Sequence, residues 1–170
     1  NKDRSIVDKI QPRYLYAPKQ RVVHDIINKA QNITIPAISV SVASVARDES
    51  RVFNKIFGMY DVKPQNRTSR FVPSPVPINV GISMSILTKF QTDMDQILSN
   101  FIAYSNPYIV ITWKVPSEFT NETVELRSQV EWAGDVSVEY PIELQSDATA
   151  RITADTTFTI KGWIYPYSSS

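Results

Sequence analysis

The stretch "VGISMSILTKFQTDMDQILSNF", residues 80–101, changes its hydrophobic rhythm halfway along with no proline anywhere in it. Val80, Ile82, Met84 and Ile86 alternate with Gly81, Ser83 and Ser85, the period of a half-buried strand. Met94, Ile97, Leu98 and Phe101 then fall at i, i+3, i+4 and i+7, one face of a helix. A strand that runs straight into a helix points to an α+β chain. The polar residues 88–92 supply the hinge. Thr92 reads as the helix N-cap, and Asp93 and Asp95 occupy the first turn, where carboxylates meet the positive helix end.

Working outward, "QPRYLYAPK" (11–19) reads as a short strand between two prolines. A helix is expected from about Gln20 to Gln31, with Val22, Val23, Ile26, Ile27 and Ala30 as its apolar stripe. "ITIPAISVSVASVA" (33–46) is a strand whose alternation slips at Pro36, where a proline-marked bulge or edge would absorb the slip. Residues 47–76 are the least regular: a short helix at 49–57, then a long loop of the kind that usually binds something. Further strands are expected at 106–116, 123–132 and 136–144, the last two forming a hairpin or meander with its turn at 133–135. Residues 149–167 are strand-like almost throughout and would extend roughly 60 Å. That length requires either a bend near Ala154 or a run past the domain to meet another chain. The expected architecture is one domain over 1–170: a mixed, largely antiparallel sheet, two helices laid on a face, and an extended C-terminal strand or hairpin.

Composition narrows the function. The chain has 170 residues, 42% of them hydrophobic, which is enough for a core without staples. With no cysteine there is neither a disulfide framework nor a thiolate metal site. The 18 basic and 17 acidic residues leave a net charge of +1, and no basic block marks a nucleic-acid surface. Only four glycines stand against eleven prolines, a balance that disfavours the glycine-rich loops of nucleotide enzymes. No apolar run reaches the roughly 18–20 residues of a membrane span. The opening "NKDRSIVDKI" has no apolar signal-peptide core, so the Asn-x-Thr triplets at Asn32, Asn66 and Asn121 read as chance.

Catalytic chemistry is not apparent. His24 is the sole histidine, set beside apolar Val22 and Val23 on a helix, with no second histidine for a metal pair. Asp93 and Asp95 point apart on a helix and are explained by the first-turn charge effect. Glu118, Glu122 and Glu125 match no calcium-loop spacing. No catalytic, cofactor-binding or metal-ligating residue is assigned. The informative residues are aromatic: Phe53, Phe57, Tyr60 and Phe71 lie among Arg51, Lys55, Lys63, Arg67 and Arg70. Exposed aromatic and arginine residues are the usual anchors of protein interfaces. A nucleic-acid stacking platform is disfavoured by the neutral charge, and a loop that buries its own aromatics is the plain alternative.

Several local patterns then combine in order: "YLYAPK" (14–19), "IPAISVSV" (35–42), "SPVPINVGISMSILTKFQTDMDQIL" (74–98) and "RITADTTFTIKGWIYP" (151–166). Together they resemble the tail sheath stabiliser and tail completion proteins of T-even-like contractile-tailed bacteriophages. The likeness runs along most of the chain and is sharpest at 74–98 and at Gly162-Trp163-Ile164-Tyr165-Pro166. The resemblance implies a tail-terminator-like fold and a non-enzymatic virion protein, assembled in the host cytoplasm, that forms a hexameric ring. The ring would sit at the head-proximal end of the tail and stabilise sheath and tube. It would also offer the attachment surface for the neck, with DNA passing through without sequence-specific binding and with no membrane involved. Its partners would be the tail sheath protein, the tube or tube-terminator protein and the neck or connector proteins. Candidate interface residues are Arg51, Phe53, Phe57, Tyr60, Phe71, Trp163 and Tyr165. Two other readings stay open: another neck ring, either tube terminator or head-completion connector, and a β-rich carbohydrate-binding module presenting exposed tryptophans.

Overall fold

The computed structural model describes residues 11–27, 35–52, 58–62, 69–105, 108–116, 123–140 and 151–164. Its organising element is β5 (Val76–Thr88), the strand half of the opening stretch. On one side β5 pairs antiparallel with β2 (Ala37–Arg47), and on the other, over its whole length, with β9 (Ile152–Ile164). The strand order is β1-β2-β5-β9-β7-β6, where β1 is Arg13–Tyr16, β6 is Tyr108–Pro116 and β7 is Thr123–Trp132. A short β8 (Ser137–Glu139) also pairs with β9. Among the described residues only β1 and β2 run parallel. A separate two-stranded sheet joins β3 (Gly58–Val62) to β4 (Ser69–Pro73), for which the backbone is described. The fold is α+β with a mixed, largely antiparallel sheet, as the sequence leads one to expect.

The two helices, expected on a single face, lie on opposite faces of the sheet. Helix α2 (Gln91–Tyr104) sets Met94 against Ile38, Ile86, Ile152 and Ala154, with Val40, Met84, Ile97 and Leu98 packed around them. Helix α1 (Lys19–Ile27) lies over the other face. There the Lys19 ammonium meets the Asp155 carboxylate at 2.5 Å, and Ser39 donates to the Ala17 carbonyl. Ser39, Ser85 and Asp155 are register partners, so they share that face. Consecutive residues Ile86 and Leu87 are both fully buried, which requires cover on both sides of the sheet.

Several local expectations are corrected. The α2 N-cap is Phe90 rather than Thr92, and it caps with backbone alone: Met94 N–H donates to the Phe90 carbonyl at 3.3 Å. Thr92 falls one residue inside the helix, while Asp93 does occupy the first turn. The register slip expected at Pro36 falls outside the strand, because β2 starts at Ala37. The true bulge lies between Val42 and Ser44. The extra residue there keeps Val42 and Val45, three apart, on one face. Gly81 faces this bulge, and a Cβ on it would stand 2.5 Å from Ser44 Oγ.

The short helix placed at 49–57 is a 3-10 turn over Glu49–Arg51, with residues 53–57 outside the described set. Part of the irregular stretch is the β3–β4 pair rather than loop. Strands β7 and β8 do not form the expected hairpin with each other; both add to β9, and β7 makes its antiparallel pair with β6. Residues 152–164 neither bend away nor leave the domain, since β5 matches all of them residue for residue.

Candidate assembly surface

Thirteen residues of β5 extend about 43 Å, whereas the fourteen residues of α2 rise only about 21 Å. The helix therefore covers one end of the long strands and leaves the other. The boundary is aromatic: Phe101, near the end of α2, packs edge-on against Trp132 and Phe158 with ring centroids 5.4 and 5.5 Å away. Trp132 is held there by its indole N–H, which donates to Thr156 Oγ1 at 2.7 Å. Past these rings the same face continues apolar. Val45, Val80, Ile160, Val130 and Ile109 form one row of register partners across β2, β5, β9, β7 and β6. The middle three are half-buried, and at the two margins Val45 and Ile109 are 60% and 36% exposed. Trp113 on β6 and Val42 on β2, on the same face, are exposed as well. An exposed apolar row of this kind is a candidate interaction surface.

One corner of this uncovered end is fixed by charge. Asp48 follows β2, is nearly buried, and its N–H donates to the Pro77 carbonyl at 3.0 Å. Its carboxylate accepts from the Ser50 hydroxyl at 2.6 Å, from the Ser50 N–H at 3.0 Å and from Arg51 Nε at 2.5 Å. These bonds, the Ser50 hydroxyl first and the Arg51 guanidinium next, hold the Asp48 carboxyl well below the usual carboxylate range. Arg51 reaches on to the Ile78 carbonyl at 2.9 Å and Asn79 Oδ1 at 3.2 Å, and its guanidinium lies 5.0 Å from the Trp163 ring centroid. The cluster ties the turn after β2 to both β5 and β9.

Of the candidate interface residues, Arg51 and Trp163 are thus brought together, one over the other. Tyr60 and Phe71 are backbone partners opposite each other in the β3–β4 pair. Phe53, Phe57 and Tyr165 lie outside the described residues. Sequence reasoning missed Asp48 and Asn79, and it missed the β6 margin. A usable signal existed in "YIVITWKVP": a long strand whose one phase is wholly apolar and which carries a single charge, Lys114.

Among the described residues no group of three or more His, Asp or Glu side chains is placed to hold a metal ion. No helix there is long and apolar enough to cross a membrane. A shallow cavity lined by Lys19, Glu139, Tyr140, Arg151 and Thr153 has its lysine engaged with Asp155 and Glu139. Of the three tryptophans only Trp113 is widely exposed, so no row of tryptophans forms a sugar platform.

The family model described as the T4-like virus Myoviridae tail sheath stabiliser matches residues 13–170, and the chain belongs to that family. No curated protein matches it. Membership carries a phage tail as location and the tail sheath as the associated structure.

Proposed function

We propose that the chain closes into a ring at the head-proximal end of the contractile tail. There it terminates and stabilises sheath and tube and presents the surface that receives the neck. The observation that carries this reading is the family match over nearly the whole chain. The broad apolar end of the sheet supports it, since a subunit that stayed alone would leave that surface in water. Identical subunits joined by head-to-tail contacts form rings when the rotation closes. The Arg51–Trp163 corner, together with Phe53, Phe57, Tyr60, Phe71 and Tyr165, is proposed to supply contacts to the sheath or to the neighbouring subunit. A net charge of +1 suits a channel through which DNA slides without adhering. The role requires no enzymatic activity.

The test is reconstitution. Light scattering across a concentration series reads the mass, and electron microscopy of sheath assembled with and without the protein reads capping. Rings seated on one end of the sheath, with slower sheath disassembly, are the expected result. Sheath that disassembles at the same rate and carries no added density would overturn the reading.

A further inference from the structure

The main sheet ends in two margins that, among the described residues, have no strand beside them. At one, β1 pairs only with residues 37–40 of β2, which leaves residues 41–47 open. At the other, all nine residues of β6 are paired on one side alone, with β7. Proteins ordinarily blunt such margins with charges, prolines, bulges or cover. Here β2 carries its bulge between Val42 and Ser44 and β6 ends on Pro116, but charges are few. Lys114 is the only charged residue of β6, and Arg47 is the only one in the open part of β2. Tyr108, Val110 and Trp113 on β6 and Val42 and Val45 on β2 are each between about a third and two-thirds exposed.

The strand directions make the two margins fit each other. Four successive antiparallel steps, β2 to β5 to β9 to β7 to β6, set β2 and β6 in the same direction. A rotation about an axis parallel to the strands, carrying one copy onto the next, preserves both strand direction and sheet face. The β6 of one copy would then meet the β2 of its neighbour as a parallel pair with the apolar faces aligned. Any register that keeps the faces aligned sets Ile109, Ile111 and Trp113 on the same face as Val42 and Val45 of the neighbour. It also sets Val110 and Thr112 on the same, more polar face as the neighbour's Ser44 and Ala46. A two-fold arrangement of β6 on β6 would instead be antiparallel and would leave β2 open.

We propose that a second copy of this chain occupies the β6 margin through residues 41–47 of its β2, so that the sheet continues from subunit to subunit. The inference deepens the ring reading and rests on it. It identifies the contact as main-chain strand addition rather than side-chain docking alone.

The chain lacks cysteine, so introduced thiols report unambiguously. Single variants Val110→Cys and Thr112→Cys are each mixed with Ser44→Cys or Ala46→Cys and oxidised, beside each variant alone. The expected result is cross-links in at least one mixture, absent when either variant is oxidised alone. In parallel, Val110→Lys, at a half-exposed position, should retain the wild-type urea midpoint and lower the association constant at least tenfold. Cross-links of the β6 variants with themselves would overturn the proposal in favour of a two-fold contact. A ring-sized species without mixed cross-links, or one indifferent to Val110→Lys, would overturn the strand pairing and leave the ring reading standing. A monomer at every concentration, with and without sheath, would overturn both.

Discussion

The two ends of β5 are made of similar residues and live in different surroundings. At residues 85–88 every position is buried, with α2 over one face and α1 over the other. At residues 76–84 the same alternation of apolar side chains continues, yet only Pro77 is buried. The difference is not hydrophobicity: Val76, Ile78, Val80 and Ile82 are as apolar as Ile86 and Leu87. It is the length of the covering element, since a helix gains 1.5 Å per residue and a strand more than twice that. An apolar pattern continued beyond the reach of its own helices stabilises the monomer little and is available to a partner.

Four substitutions would break or sharpen this contrast. Met94→Ala, at the covered end, removes a fully buried side chain from the core cluster and should cost about 2–5 kcal/mol. A urea titration measures it. Ile160→Ala, the equivalent truncation at the uncovered end, should cost about 1–2 kcal/mol because the side chain is only half-buried. Equal costs would mean that the two ends do not differ as described.

Asp48 tests the charged corner through pH. Its carboxyl is held down in the folded state, so its contribution is complete above the ordinary carboxylate pKa and is lost as pH falls below that range. Asp48→Asn should therefore lower the urea midpoint at pH 7 and leave a smaller difference from wild type at pH 3. The smallest effect is expected at Thr88, whose hydroxyl is buried with no partner among the described residues. Thr88→Val should be neutral or stabilising by up to about 1 kcal/mol, read from the thermal midpoint.

What the sequence revealed follows the range of the forces involved. Period-2 and period-3.6 patterns are local, so the strands of the main sheet, both helices and the α+β class could be read directly, whereas the β3–β4 pair reads as loop. The bulge was written in the spacing of Val40, Val42 and Val45, but Pro36 drew attention away as the stronger local signal. Partner choice is non-local. Nothing in "TVELRSQVEW" or "VSVEYPIEL" states that both strands add to β9 instead of to each other, and β9's length looked like an excess because its neighbour β5 is equally long. The aromatic-arginine set was legible as composition. The capture of Arg51 by Asp48, Asn79 and Trp163 depends on residues more than a hundred positions apart, and no window of sequence holds it.

The position of β9 has a consequence in time. The last described strand of the chain is a central strand of the sheet, joining a β1-β2-β5 half to a β6-β7 half. A chain emerging from the ribosome can pair each half early, but no strand pairing joins the halves until residues 152–164 are free. Loop-closure entropy makes this last insertion the slow, high-contact-order step. A subunit interrupted before that point would present two unjoined half-sheets. The joined sheet face therefore exists only once β9 has been made and inserted.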